Sequence, residues 1–283
     1  MGSNEDTAAR SSVTGKVRML VLETDEPHPE TVHRRGTYGA IFDELFTKAG
    51  AEHDPPLGID TIMTYVVEPD GGKVPELDDI GDVHAILVTG SMYDAHGDDD
   101  WILKLVLLLR RLWVQRPDIR FSGVCFGHQI LCRALRSKLE PTPGGEWELA
   151  HTELALSSVG QRLFRTDDTA IELHQVHQDR VVDAPSSATS DLLSDDVHIR
   201  IWGGTEHTPI QGVYMSKRLF TSQGHLGFDA ATVKRQVQDR VDSGGIECSE
   251  EAELAKMTAH MEHDGLVVAA AILRFFHGED DDI

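Results

Sequence analysis

The chain has 283 residues, of which 40% are hydrophobic and 26% are charged, and its formal net charge is −22. This length and composition are typical of a globular protein with a sizeable hydrophobic core. The strong negative charge argues against nucleic acid and anionic membrane surfaces as partners, because both would repel the chain.

The first half of the chain alternates apolar, strand-like segments with helical ones. After a polar lead at 1–16, which we expect to be disordered, the pattern predicts strands at 17–23, 61–67, 83–90 and 119–125 and helices at 37–53, 98–117 and 127–137. Strands that alternate with helices indicate a parallel sheet covered on both faces. The fold class is therefore predicted to be α/β.

The second half changes character. Short strand-like segments between about 148 and 225 predict antiparallel strands added to the sheet. Two helices are expected to follow, one from near Ala230 and one from about Glu250 to Phe276, before an acidic tail at 278–283. Because the sequence has no internal repeat and no Gly/Ser-rich linker, we predict a single domain at 17–277.

Cysteine usage and apolar segments indicate the compartment. The cysteines at 125, 132 and 248 form no CxxC pair and no disulfide framework, which is typical of a reducing compartment. The polar amino-terminal segment lacks the apolar run of a secretory signal. The longest apolar stretch, "WILKLVLLLRRLWV", is too short and too charged to span a bilayer. We therefore expect a cytoplasmic protein.

The segment "GVCFGHQIL" at 123–131 places Cys125 between two glycines at a predicted strand-to-helix junction. Small residues beside a sharp turn allow a nucleophile to stand in a strained position. The amino end of the following helix would lower the pKa of the thiol, and the N–H of Phe126 would stabilise an oxyanion. From these residues alone, a buried cysteine in an ordinary turn explains the pattern equally well.

Four segments in order resemble class I glutamine amidotransferases, in particular standalone members similar to the glutaminase domain of GMP synthase and to plant γ-glutamyl peptidases. "GVCFGHQIL" resembles the nucleophile motif G-x-C-x-G-x-Q of that family. The other three segments are "ILVTGSMYDAHGDDDWI", "HQVHQDRVVDAP" and "LFTSQGHLGFD". Their order and spacing agree with the family over roughly residues 17–229. The resemblance implies a flavodoxin-like fold with a central, mostly parallel sheet flanked by helices.

The resemblance also implies roles for individual residues. Cys125 would be the nucleophile and His225 the base. Gly90 and Ser91 would supply oxyanion-hole amides together with Phe126. The residues expected near the substrate are Tyr93, Gln129, His177 and Asp179.

One position departs from the family pattern. The family has Glu two residues after the histidine, where this chain has Gly227. A third triad member orients the imidazole and stabilises its charged form. Asp229 is a candidate replacement, provided that the loop turns back towards His225.

Three functional hypotheses follow. The first is a thiol-dependent hydrolase of a γ-glutamyl or related amide that works through a Cys–His dyad. The second is other acyl or thiol chemistry in the same pocket, such as processing of a glutathione adduct or a secondary metabolite. The third is a binding or regulatory homologue without catalysis, which Gly227 favours.

The expected partner is a small-molecule substrate. The sequence has no P-loop or glycine-rich nucleotide motif, and its histidines lack convincing metal-ligand spacing, so we predict neither a cofactor nor a metal. No synthase domain that would accept ammonia follows residue 229, so a standalone enzyme is predicted. A homodimer and a separate synthase subunit both stay open.

Overall fold

The computed structural model describes residues 15–246, 250–280 and 283. Nine strands form one sheet in the order β2-β1-β3-β4-β11-β10-β9-β6-β7, and β5 pairs with β8 in a separate ribbon. The strands are β1 (Lys16–Glu23), β2 (Gly58–Tyr65), β3 (Ala85–Val88), β4 (Arg120–Val124), β5 (Leu139–Pro141), β6 (Glu148–Leu156), β7 (Ala170–His177), β8 (Asp179–Val181), β9 (Arg200–Gly204), β10 (Gly212–Met215) and β11 (Leu219–Ser222).

Eight helices flank these strands within the described ranges. They are α1 (Pro29–Arg35), α2 (Tyr38–Ala51), α3 (Asp100–Gln115), α4 (Phe126–Ala134), α5 (Ser158–Phe164), α6 (Ala230–Asp242), α7 (Glu250–Thr258) and α8 (Gly265–His277). In this part of the chain, no helix is long and apolar enough to cross a membrane.

The main sheet has a parallel part and an antiparallel part, as the sequence predicts. Neighbours from β2 to β11 are parallel, whereas β11, β10, β9, β6 and β7 pair antiparallel in that order. The junction is β11, which is parallel to β4 on one side and antiparallel to β10 on the other. This junction places the end of the late segment β11 beside the end of β4.

Alternation along β1 distributes the core over both faces of the sheet. Met19 and Val21 pack in the cluster that includes residues of α2 and α8, and Leu20 and Leu22 pack in the cluster that includes residues of α3 and α4. Because successive side chains of a strand point to opposite faces, the continuous apolar run at 19–22 must be covered on both faces of the sheet. The α/β prediction is confirmed.

The predicted long helix at 250–276 is wrong, because it is two helices. Asp264 separates α7 from α8: its N–H donates to the carbonyl of Glu172 (2.8 Å), and its carboxylate accepts from the N–H of Glu172 (2.8 Å). A Cβ on Gly265 would lie 1.9 Å from the carbonyl oxygen of Leu226. The break thus docks on β7 and on the loop after β11, and such contacts are not visible in helical periodicity. Helix α1 was also not predicted.

The predicted acidic tail contains a buried carboxylate. Asp280 is 2% exposed, and its carboxylate accepts hydrogen bonds from Arg120 (3.1 Å), the hydroxyl of Tyr214 (2.9 Å) and the N–H of Lys217 (2.8 Å). The predicted disordered lead lies outside the described residues, apart from Gly15 and Lys16, and so does Cys248.

Candidate active site

Cys125 stands alone between β4 and α4, in a backbone conformation that side chains rarely adopt. Its φ is 55° and its ψ is −111°. A Cβ on Gly123 would lie 2.3 Å from the carbonyl oxygen of Gly127, and a Cβ on Gly127 would lie 2.0 Å from that of Val88. Both neighbouring glycines are therefore required sterically. Strain of this kind is typical of functional positions.

His225 lies three residues beyond β11, the strand that runs parallel to β4. Its N–H donates to the carbonyl of His174 on β7 (3.0 Å). Gly90, which follows β3, lies between His225 and Cys125: a Cβ there would be 3.3 Å from Cε1 of His225 and 3.5 Å from Cβ of Cys125. The structure therefore brings the predicted nucleophile and base together at the carboxyl ends of β3, β4 and β11, where ligands bind in open α/β sheets.

Both groups are uncharged at neutral pH. Burial raises the pKa of the Cys125 thiol to about 11, although the charge of Arg240 and the N–H of Phe126 lower it. Burial lowers the pKa of His225 well below its ordinary value. The sequence predicts a lowered thiol pKa, and the structure contradicts that prediction because desolvation outweighs the helix amides. A neutral imidazole is nevertheless the form that accepts a proton.

An aromatic ring packs against the face of His225. The ring of Phe228 stacks on the imidazole, with centroids 3.9 Å apart and planes inclined by 10°. A hydrogen bond to the backbone of Val176 raises the pKa of His225 and so opposes the effect of burial. A Cβ on Gly227 would lie 2.8 Å from Cγ2 of Ile41 on α2. An apolar side chain therefore occupies the space next to the position of the family's third triad residue.

The bonds of Asp229 account for both of its carboxylate oxygens. The side chain caps α6 by accepting from the N–H of Thr232 (2.9 Å) and its hydroxyl (2.7 Å). Arg34 donates to both oxygens. None of these bonds involves His225. The structure thus gives Asp229 a helix-capping position and does not bring it together with the imidazole.

The candidate oxyanion donors surround Cys125. Phe126 is the first residue of α4, and N–H groups of a first turn have no intrahelical acceptor. Gly90 lies next to Cys125, and the carbonyl of Gly90 is held by the hydroxyls of Thr24 (3.0 Å) and Thr89 (3.2 Å). Ser91, the third candidate, accepts the N–H of Tyr93 at its Oγ (3.0 Å) and lines the same cavity as Cys125.

The candidate substrate-binding residues line one cavity with Cys125. Gln129 donates to the carbonyl of Asp179 (2.8 Å), and the Asp179 carboxylate bonds to Nδ1 of His96 (2.9 Å). Burial raises the pKa of Asp179 despite that histidine. The hydroxyl of Tyr93 donates to Asp70 (3.2 Å), so the structure places its polar end on a neighbouring loop.

His177 forms a buried pair with Glu148. Nε2 of His177 lies 2.8 Å from the carboxylate of Glu148, and Nδ1 lies 3.1 Å from the carbonyl of Asp179. Gln211 also donates to Glu148 (2.7 Å). Burial raises the pKa of Glu148, but the hydrogen bonds from His177 and Thr205 lower it. Because the lowering effects together exceed that of burial, the pKa of Glu148 lies below its ordinary value. This pair holds the ring of His177 in the lining of the cavity that contains Cys125.

A second cavity adjoins the first on the His225 side. Its lining includes Asp25, Tyr38 and Phe228 as well as His225 and Gly90. Ser91 and Arg240 line both cavities. Sequence reasoning gave no role to Arg240, because an arginine on an amphipathic helix has no distinguishing signal. Only the packing of α6 against the site identifies it.

Comparisons with known proteins find sequence relatives of this chain. The chain is 28% identical over 220 residues to a glutamine amidotransferase-like protein of Schizosaccharomyces pombe, covering 78% of this chain and 83% of the relative. It is 26% identical over 226 residues to gamma-glutamyl peptidase 3 of Arabidopsis thaliana, covering 78% and 82%. No family model matches the chain.

The fold has close counterparts among solved structures. A glutamine amidotransferase from Thermotoga maritima superposes with a TM-score of 0.63 at 18% sequence identity, covering 93% of this chain and 99% of that protein. The flavodoxin-like fold of class I glutamine amidotransferases is therefore confirmed. Together with the sequence relatives, it confirms the predicted resemblance to glutamine amidotransferase-like proteins and γ-glutamyl peptidases.

Proposed function

We propose that this chain is a cysteine-dependent hydrolase of γ-glutamyl or related small-molecule amides, working through Cys125 and His225 without a triad carboxylate. The observation that carries the proposal is the strained Cys125 at the start of α4, near His225: a Cβ on Gly90 would contact both residues, at 3.5 Å and 3.3 Å. Relatives named gamma-glutamyl peptidases support the substrate class.

The proposed reaction begins with two neutral groups. His225 takes the thiol proton as the sulfur of Cys125 attacks the amide carbonyl. The amides of Gly90, Ser91 and Phe126 hold the oxyanion. The C–N bond then breaks and the amine leaves with the proton from His225. Water, deprotonated by His225, hydrolyses the thioester and releases the carboxylic acid and the free thiol.

A catalytically silent homologue is the second candidate. Two observations favour it: Gly227 removes the usual carboxylate, and burial raises the thiol pKa to about 11. Cys–His pairs depend less on a third triad member than Ser–His pairs do. The same two observations therefore also fit an active enzyme with slow turnover. Other acyl or thiol chemistry in the same pocket, such as processing of a glutathione adduct or a secondary metabolite, stays a separate alternative to this hydrolysis.

The test is labelling with an electrophilic glutamine analogue, followed by intact mass measurement. We expect one adduct in the wild type, none in Cys125→Ala, and an unchanged adduct in Cys132→Ala. Cys132 is the matched control, because it is a free cysteine on the same helix and is fully buried. Loss of γ-glutamyl amide turnover in Cys125→Ala alone would complete the evidence. Undiminished turnover in that variant would exclude a nucleophilic Cys125.

A further inference from the structure

Arg240 is a buried cation beside the nucleophile. The residue is 7% exposed, and it projects from α6 into the lining of both cavities. Among the described residues that line them, it is the only lysine or arginine. In a chain with a net charge of −22, a single cation at the reacting centre is a specific feature.

The guanidinium has no carboxylate partner within the described ranges. Its Nη1 donates to the carbonyl (3.0 Å) and to the side-chain oxygen (2.6 Å) of Gln236, and the guanidinium lies 5.7 Å from the ring centroid of Trp147. These neutral partners hold the side chain in place, and Gln236 is itself fixed by a bond to the hydroxyl of Tyr38 (2.9 Å).

One acid of the cavities, Asp25, interacts electrostatically with Arg240 but shares no hydrogen bond or ion pair with it in the described part of the chain. Asp25 lines the cavity on the His225 side, but its two oxygens accept the backbone N–H groups of Glu26 (2.8 Å) and Met92 (2.7 Å). A buried guanidinium without a directly bonded carboxylate is costly, which favours an anion that completes the site. A planar guanidinium is suited to bind a carboxylate through two parallel hydrogen bonds.

We infer that Arg240 is the carboxylate-binding residue of this site and that its substrates are amides with a free carboxylate close to the carbonyl that Cys125 attacks. This inference rests on the proposed function for the attack by Cys125. It extends that function, because it selects anionic amides over neutral ones. It also assigns the selection to α6, outside the segments that resemble the family motifs.

The test compares alkylation of Cys125 by iodoacetate and by iodoacetamide, which differ in a carboxylate and a neutral amide. Both reagents react with the same thiolate, so a change in the thiol pKa cancels in the ratio of their rates. In Arg240→Gln we expect the iodoacetate-to-iodoacetamide rate ratio to fall by about tenfold, the effect of losing a charge-assisted contact. Arg240→Lys, which keeps the positive charge but cannot form two parallel hydrogen bonds to a carboxylate, should give an intermediate ratio.

The matched control is Arg235→Gln on the same helix. Arg235 pairs with Asp239 and lines neither cavity, so its ratio should equal that of the wild type. A folded Arg240→Gln protein with an unchanged ratio would overturn the inference. If Arg240→Gln fails to fold, the test is protection of Cys125 from alkylation in the wild-type protein. We expect glutarate to slow the alkylation and glutaramide to leave it unchanged. Equal protection by both compounds, or by neither, would overturn the inference.

These results separate the inference from the proposed function. An adduct with the glutamine analogue together with an unchanged alkylation ratio would leave the hydrolase proposal standing and remove the role of Arg240. A reduced ratio in a protein that forms no such adduct would support the carboxylate site and contradict the γ-glutamyl hydrolase.

Discussion

Burial, not ion pairing, sets the chemistry of the two central side chains. Cys125 is 5% exposed and His225 is 6% exposed, and desolvation is the largest influence on the pKa of each. An imidazole held between a phenyl ring and the backbone is oriented without a carboxylate. Such a site favours transfer of a proton between neutral partners over a resting thiolate–imidazolium pair.

Asp229→Ala separates a capping role from a catalytic one. The substitution removes the acceptor for the N–H of Thr232 and the ion pair with Arg34, so we expect a loss of about 1 kcal/mol in the free energy of unfolding at pH 7. Turnover of a γ-glutamyl amide should stay at the wild-type level. Urea denaturation and steady-state kinetics of both proteins measure the two effects.

The stability difference should depend on pH in a defined direction. Burial raises the pKa of Asp229, but the bonds from Arg34 and Thr232 lower it to about 2, below the ordinary value of 3.8. The stabilisation is therefore complete above about pH 4 and is lost as the pH falls towards 2. A difference that is constant from pH 7 to pH 3, or a loss of turnover, would contradict the assigned role.

At the scale of elements, α2 closes the space beside the loop after β11. Ile41 packs against Gly227, and Arg35, at the end of α1, donates to the Gly227 carbonyl (2.6 Å). Helix α2 packs this closely only because residue 227 is a glycine, since a side chain there would displace Ile41. Position 227 therefore has no room for a larger side chain unless Ile41 moves.

Gly227→Glu should not restore a triad. Its Cβ would lie 2.8 Å from Cγ2 of Ile41, so we expect a lower melting temperature and no gain in turnover. Ile41→Ala also destabilises, because the residue is 2% exposed. The double variant should lose less stability than the sum of the losses in the two single variants. Additive losses, or faster turnover in Gly227→Glu at unchanged stability, would contradict this account.

Across the whole molecule, Asp280 connects segments that are far apart in the chain. Asp280 joins β4 to the turn between β10 and β11 through Arg120 and the N–H of Lys217, and the Arg120 guanidinium lies 5.0 Å from the ring centroid of Phe275. Helix α8 thereby connects both halves of the sheet. Cys125 follows β4, and His225 lies three residues beyond β11.

Asp280→Asn should destabilise the protein by about 3 kcal/mol, because it breaks a buried ion pair and leaves Arg120 without an ion-pair partner among the described residues. Equilibrium urea denaturation measures the loss. Glu279→Gln is the control: its carboxylate pairs with His53 (3.3 Å) and Arg165 (3.6 Å) near the surface and should change stability by less than about 1 kcal/mol. Equal effects of both variants would show that burial of Asp280 does not matter.

The sequence by itself determined the α/β class, the order of the strands along the chain, and the elbow around Cys125. Hydrophobic periodicity and glycine placement are local properties, and motif order carries the family resemblance. Only the tertiary structure decided where three charged side chains lie. Asp229 caps α6, Arg240 lines both cavities and Asp280 is buried. Each position depends on contacts between segments that are far apart in the chain.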